Sequence, residues 1–395
     1  MIESMKYERL IKGVLCVLFA LPLMACDKVL LENLEESKDQ VPENSPALIT
    51  LEEVAKLISG LPIGPGQMEE VRDATVSSAG NGYDDEYRMR DLFAAPGSGV
   101  GEDGATKAGK YSKPLRDMLR EAVLATKAAG GSSDAWLDSL ATSDVQIYWP
   151  DASGWDGETL PIITFDPGDG SERNEGYAIQ PDSTVRKVMV DEQMAYDRPV
   201  WVINRNSDAE YKSIEMRRRE DPSWGSGGGG LIVKSKTKEF KTLVLRSFKA
   251  MRQYDSWFSG GAEFFVKLAS VEDFNATTEP ELRLYEPAIT DFMIVVRRSQ
   301  VGDELPFNAV LVSDWSEMLT NCAFMITEDD GGTRATWKGS AVVKWNSKSY
   351  GFEVELPLNS RDDIVWRGSL ARSYVEKYSG LPVRYGDIEL VLELI

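Results

Sequence analysis

Carboxylates are the residues of this sequence best suited to chemistry. They form three acidic clusters at 84–86, 328–330 and 362–363, and single aspartates stand at Asp255 and Asp314 beside strand-like runs. Several carboxylates converging from loops can bind calcium, which takes about six to eight oxygen ligands. Aspartate is also common in turns, because its side chain bonds to nearby backbone groups. The clusters therefore predict either a metal site or solvated turns.

Four of these aspartates form the candidate calcium set. Loops at one end of a β-sandwich would bring together Asp255, Asp314, Asp330 and Asp363. This arrangement resembles the calcium-binding loops of C2-type sandwiches, although no motif spacing supports it. The resemblance implies a bound calcium ion, and no other cofactor is expected. The alternative is that each aspartate belongs to a surface turn.

Histidine is absent from all 395 residues, which restricts the possible enzymes. Ser-His-Asp and Cys-His arrangements and the HExxH zinc motif all require histidine. A pair of carboxylates could still act as the acid and nucleophile of a glycoside hydrolase. We expect a protein that is not an enzyme and keep this histidine-independent hydrolase as the alternative.

Two tryptophans are candidate ligand-binding residues. Trp155 lies in "YWPDASGWDGE" and Trp257 in "QYDSWFSGG", both polar, turn-rich stretches. Exposed Trp beside carboxylates suits the faces of sugars or contacts with a protein partner. Ordinary packing is the alternative for both. Core positions are expected instead for three tryptophans that fall within alternating strands: Trp149, Trp201 and Trp337.

The N-terminus has the layout of an export signal. Lys6, Arg9 and Lys12 precede an uncharged run over 13–23, which is shorter than the roughly 20 residues that span a bilayer. The run ends in Leu23-Met24-Ala25-Cys26, which resembles the lipobox of bacterial lipoprotein precursors, with Met24 as the one departure. The resemblance implies cleavage before Cys26 and lipid attachment to this cysteine. Several acyl chains would hold the protein on a membrane.

Charge and composition limit the partners. The chain carries a net charge of −20, and 42% of its residues are apolar. A strongly acidic globular chain repels nucleic acid. The glycine-rich pieces "AGNGYDD" and "GSGVGEDG" lack the spacing of a nucleotide-binding loop. We expect a lipoprotein of the cell envelope, with the outer membrane favoured, that acts as a binding or assembly module for a glycan or protein ligand.

The hydrophobic pattern predicts an α+β multidomain protein. Thr50 and Glu53 form a capping box before a helical region, and alternating strands begin near Asp144. Eight strand-like runs follow a Gly-rich stretch with no helices between them, which favours antiparallel β-sandwich modules. The predicted divisions are a signal peptide (1–25), a tether (26–45), a helical region (46–142), a β region (143–215), a Gly-rich hinge (216–238) and a β-sandwich domain (239–395).

Two smaller features complete the predictions. Cys322 is the only cysteine left after removal of the signal and acylation of Cys26, and its strand-like surroundings predict a buried hydrophobe. The sequence "TEDDGGTR" (327–334) has the composition of a hairpin turn between two strands.

Overall fold

The computed structural model describes residues 49–94, 111, 113–127, 133–206, 211–220 and 240–395. The predicted signal peptide, the tether and Cys26 lie outside the described residues, as do residues 221–238 of the predicted hinge. Ile49–Ile395 forms one compact unit of the chain.

Helices dominate the beginning of this unit. The Thr50 hydroxyl accepts a hydrogen bond from the Glu53 N–H (3.2 Å), and the Glu53 carboxylate accepts one from the Thr50 N–H (3.4 Å), which confirms the capping box. This cap starts α1 (Leu51–Ser59), whose Val54 and Ile58 are fully buried. The helices that follow are α2 (Pro65–Gly80), α3 (Met89–Phe93), α4 (Leu115–Lys127) and α5 (Ser133–Ala141).

The first sheet combines strands from two of the predicted divisions. Its order is β1 (Glu86–Arg88), β2 (Val145–Tyr148), β6 (Val200–Arg205), β3 (Ile162–Phe165), β4 (Arg173–Ile179) and β5 (Val185–Asp191), followed in sequence by α6 (Glu192–Asp197). All neighbours pair antiparallel except β3 and β6, which are parallel. Because β1 pairs with β2, the helical region is not separate from the β region that follows it.

The helices cover one face of this sheet. Trp149 and Trp201 lie there in a core shared with α1 and α2, and both are at most 1% exposed. Their burial confirms their predicted core positions. Trp337 is half-buried in a smaller cluster of the C-terminal strands.

Two further sheets form the C-terminal part of the unit. One has the order β10 (Leu305–Trp315), β7 (Lys241–Ala250), β16 (Ile388–Leu394) and β15 (Pro382–Tyr385). The other has the order β13 (Lys348–Asn359), β12 (Arg334–Trp345), β11 (Leu319–Glu328), β8 (Ala262–Ser270) and β9 (Ala288–Val296), with β14 (Asp363–Ala371) paired to β11. An apolar core joins the two sheets and buries Cys322.

These strands confirm the predicted fold class. The eight predicted runs all contain strands, and the protein is mainly antiparallel β-sheet with a smaller helical part near the N-terminus. β1, β4, β14 and β15 were missed by the sequence pattern. Among the described residues, no helix is long and apolar enough to cross a membrane.

Two predicted loop segments differ in detail from the structure. The "TEDDGGTR" segment joins β11 to its antiparallel neighbour β12, as a hairpin connection does, but the two strands pair at Leu319 with Val343 and at Asn321 with Val342. Next to the segment the strands have other partners, because Glu328 pairs with Asp363 and Phe264, whereas Arg334 pairs with Asn359. The beginning of the predicted hinge is helical, in α7 (Ile214–Glu220).

Candidate functional site

Three carboxylates converge where β8 begins and β11 ends. Asp255 lies in the loop between β7 and β8, Glu263 is the second residue of β8, and Glu328 is the last residue of β11. One carboxylate oxygen from each residue lies within 4.8 Å of the other two. We call these three residues the carboxylate triad.

Glu328 is the most unusual member of the carboxylate triad. Its side chain lies on the same strand face as Phe324 and Ile326, and it is 0% exposed. Neither of its carboxylate oxygens accepts a hydrogen bond from a donor among the described residues. A buried carboxylate without a donor is costly, so such a group needs a proton or a cation.

The neighbouring carboxyl explains how Glu328 is accommodated without a cation. Burial raises the pKa of Glu328, and the adjacent Asp255 carboxylate raises this pKa further. Burial also raises the pKa of Asp255, although a hydrogen bond from Glu328 opposes that shift. One proton held on Glu328 and donated to Asp255 therefore joins the two groups. The pair can carry a proton, or it can exchange this proton for a metal ion.

The carboxylate triad borders an acidic cleft of about 490 Å³. Asp255 and Glu263 line this cleft, together with five further carboxylates: Glu52, Asp144, Asp166, Asp329 and Asp330. Two guanidinium groups also line it, and one of them, Arg205, forms an ion pair with Asp144. We call this the acidic cleft. Its excess of carboxylates favours cations and disfavours anionic ligands.

The loop that carries Asp255 is held by the first sheet. Its Trp257 and Phe258 pack into an apolar cluster on the sheet face opposite the helices. The Asn204 side-chain amide on β6 donates to the carbonyl oxygens of Phe258 and Ser259 (2.9 Å each). These contacts fix the position of Asp255 relative to β8 and β11.

A second acidic cluster anchors the same loop from the other side. Asp84 is buried and accepts a hydrogen bond from the Gly261 N–H (2.8 Å). Burial and, to a smaller extent, the nearby Asp85 carboxylate raise the pKa of Asp84 to about 7. Glu86 accepts hydrogen bonds from Arg88 and Asn206 (2.6 Å each). The 84–86 cluster is thus built into the packing of the protein.

The predicted calcium set is only partly assembled. Asp330 and Asp363 are exposed and lie close enough to Glu328 to raise its pKa, which places them beside Asp255 and the carboxylate triad. Asp314 was wrongly included: its neighbour Trp315 pairs with Lys241, the first residue of β7, whereas Asp255 follows the last residue. Ten strand residues separate these ends by roughly 30 Å.

The two candidate tryptophans differ from the prediction in their exposure. Trp257 is 1% exposed, and its indole N–H donates to the Glu172 carbonyl oxygen (3.0 Å), so it offers no exposed platform. Trp155 is half-buried, packs edge-on against Trp149, and donates to the Thr159 carbonyl oxygen (2.9 Å). Both rings have structural partners within the described fold.

Two members of the carboxylate triad were missed as ligands. Glu328 belongs to a recognised acidic cluster, but its position after an alternating strand was the signal that it points inward. Glu263 was missed because it stands alone in "AEFFVKLAS", where only a charge within an apolar strand marks it.

Comparison of the chain with protein-family models, with curated proteins and with solved structures finds no match.

Proposed function

We propose that this protein is a lipid-anchored binding module of a bacterial cell envelope, and that the acidic cleft holds its ligand. The lipobox-like Leu23-Met24-Ala25-Cys26 supports the anchor, and the outer membrane is the favoured location. The binding role is supported by the size of the cleft, which lies within the range of about 300–1,000 Å³ common for small-molecule sites.

The carboxylates of the acidic cleft determine which classes of ligand it favours. Seven line the cleft against two guanidinium groups, so its potential repels anions and attracts cationic or neutral polar groups. The half-buried Phe165 adds one aromatic ring to this lining. A neutral glycan or a basic segment of a protein fits this chemistry, whereas an acidic polysaccharide does not.

A titration panel tests the ligand class. Neutral oligosaccharides, an oligolysine peptide and oligogalacturonate would each be titrated into the mature protein by calorimetry. We expect binding from at least one of the first two and none from oligogalacturonate. No binding by either, or a preference for the acidic probe, would overturn the proposal.

Two aspartates of similar local chemistry provide matched variants. Asp166 lines the acidic cleft and accepts a hydrogen bond from the Gly168 N–H (2.8 Å), whereas Asp182 accepts one from the Thr184 N–H (3.0 Å) in an exposed turn. Asp166→Asn should weaken binding of the successful probe and Asp182→Asn should not. Equal effects would place the ligand elsewhere.

The anchor has its own test. Cys26→Ser should move the protein from the membrane fraction to the soluble fraction, because the thioether to the lipid cannot form. The native protein should partition into detergent. An unmodified Cys26 thiol in the intact mass of the native protein would contradict lipidation.

A carboxylate glycoside hydrolase is the second candidate, because Asp255 and Glu263 both line the cleft. Retaining hydrolases place their two carboxyl groups about 5–5.5 Å apart, and inverting enzymes place them farther apart. One oxygen of each member of the carboxylate triad lies within 4.8 Å of the other two, a spacing that a single cation can also bridge. Turnover of aryl glycosides that Glu263→Gln abolishes would favour the hydrolase.

A further inference from the structure

We propose that the carboxylate triad of Asp255, Glu263 and Glu328 binds a calcium ion at the edge of the acidic cleft. The proposal rests on the proposed binding function, because the ion would lie at the edge of the same cleft and offset part of its negative charge. It replaces the predicted set that contained Asp314 with residues from one loop and two neighbouring strands.

The spacing of the oxygens fits calcium. Oxygen ligands lie about 2.3–2.6 Å from calcium, so two ligands on opposite sides of the ion are about 4.6–5.2 Å apart. The oxygens of the carboxylate triad, all within 4.8 Å of one another, can therefore share one ion. Magnesium requires about 2.0–2.1 Å and near-ideal octahedral geometry, which a loop and two strands meet less easily.

The unpaired state of Glu328 is the independent observation. A carboxylate cluster alone is often only a solvated surface, but Glu328 is 0% exposed and both its oxygens lack a donor among the described residues. Its buried side chain is directed toward Asp255, an acceptor when ionised. A divalent cation between them would supply a positive partner to both groups simultaneously.

The chemistry of the donors selects a hard cation. All three ligands are carboxylates, and the chain contains no histidine. Oxygen ligands suit calcium and magnesium, whereas zinc and copper sites use nitrogen or sulfur. Three carboxylates leave part of the coordination sphere for water or for an oxygen of a ligand in the acidic cleft.

The cleft provides a path for the ion. Asp255 and Glu263 are half-buried and line it, whereas Glu328 lies behind them. The exposed Asp330 also lines the cleft, and its charge adds to the attraction for a cation near the entrance. A cation can therefore reach the carboxylate triad from solvent without passing through the apolar core.

Calorimetric titration of CaCl₂ into the full mature chain in detergent tests this site. We expect one binding event per chain and weaker binding of MgCl₂. Glu328→Gln and Asp255→Asn should each reduce the calcium affinity by about tenfold or more, since loss of even an outer-sphere partner costs ten- to hundredfold at metal sites. Asp314→Asn is the matched control and should leave the affinity unchanged.

Folding and binding are separated by a second measurement. Glu328→Gln retains the size of the side chain and can donate to Asp255, so far-UV circular dichroism should match that of the wild type. Calcium should raise the melting temperature of the wild type and of Asp314→Asn only. If the wild type does not bind calcium, Asp255 and Glu328 are only a pair of acids that share a proton, and the inference is overturned. Unchanged calcium affinity in both Glu328→Gln and Asp255→Asn would also overturn it.

The ligand panel repeated in EDTA distinguishes this inference from the proposed function. If calcium does not bind and a panel ligand does, the calcium site is rejected while the binding module stands. If calcium binds and no panel ligand does, the calcium site stands and the proposed ligand class is rejected.

Discussion

Two buried glutamates, one in each half of the described unit, meet opposite surroundings. Glu86 on β1 is 3% exposed and accepts hydrogen bonds from Arg88 and Asn206. Glu328 on β11 is 0% exposed and has no donor among the described residues. The first carboxylate is neutralised by the fold, whereas the second depends on a proton or an external ion. Burial alone therefore does not identify a functional acid; burial without compensation does.

The same substitution at both glutamates should give the largest difference in the free energy of unfolding. Glu86→Gln should lower the free energy of unfolding by about 3–5 kcal/mol, because it leaves the largely buried Arg88 without its carboxylate. Glu328→Gln should cause little loss, since Gln keeps the size of the side chain and can donate to Asp255 as the protonated Glu328 does. Urea denaturation at pH 8 in EDTA measures both, and equal losses would contradict the distinction.

Calcium should stabilise the protein through Glu328 and not through Glu86. At a calcium concentration of 100 times the Kd, mass action adds about 2.7 kcal/mol to the free energy of unfolding. Urea denaturation with and without calcium should show this gain in the wild type and in Asp314→Asn. Glu328→Gln should show about half of it or less, and a full gain there would exclude Glu328 as a ligand.

Asp84 is an intermediate case, because one of its carboxylate oxygens accepts a hydrogen bond and the other accepts none among the described residues. Burial raises its pKa to about 7 in the folded state, so the folded protein binds more protons than the unfolded chain between about pH 4 and 7. Stability present at pH 4 should therefore fall toward pH 7, by up to about 1.4 kcal/mol per pH unit.

Asp84→Asn should flatten this pH dependence when urea denaturation is repeated from pH 4.5 to 7.5. Asp85 contributes a slope of the same sign, because burial raises its pKa to about 6. Asp182→Asn, in an exposed turn, is the control and should retain the wild-type slope. A slope unchanged by Asp84→Asn would show that its carboxyl titrates normally.

The smallest expected effect belongs to Asp314. It is half-buried at the opposite end of β7 from the loop of Asp255, and its substitution by Asn should change stability by no more than about 0.5 kcal/mol. Thermal denaturation in EDTA provides the measurement. A larger loss would reveal a structural role that the distance from the carboxylate triad does not suggest.

The sequence predicted local structure well where one physical pattern dominated. The Thr50–Glu53 box and the alternating C-terminal strands depend on short-range spacing, and both are present. β1 was missed because three residues in an acidic, glycine-rich stretch show no period. Its pairing with β2 depends on contacts about 60 residues away in the sequence.

The candidate site was less predictable because it depends on strand register. Asp255 was identified from its loop, but Glu263 and Glu328 meet only through the pairing of β8 with β11. The same limit explains Trp257, whose polar neighbours suggested exposure although the loop turns its ring into the face of the first sheet. The composition of a segment predicts that it is a loop, but the rest of the fold determines which surface that loop packs against.

The aromatic pair Trp257 and Phe258 has a consequence for protein engineering. These rings pack the loop of Asp255 against the first sheet, whose strands all lie before residue 206 in the sequence. A fragment that contains only residues 240–395 would retain Glu263 and Glu328, but it would lack the first sheet, which holds the loop of Asp255 in place. The proposed calcium site would therefore need strands from both halves of the unit, because the first sheet holds Asp255 while β8 and β11 supply Glu263 and Glu328.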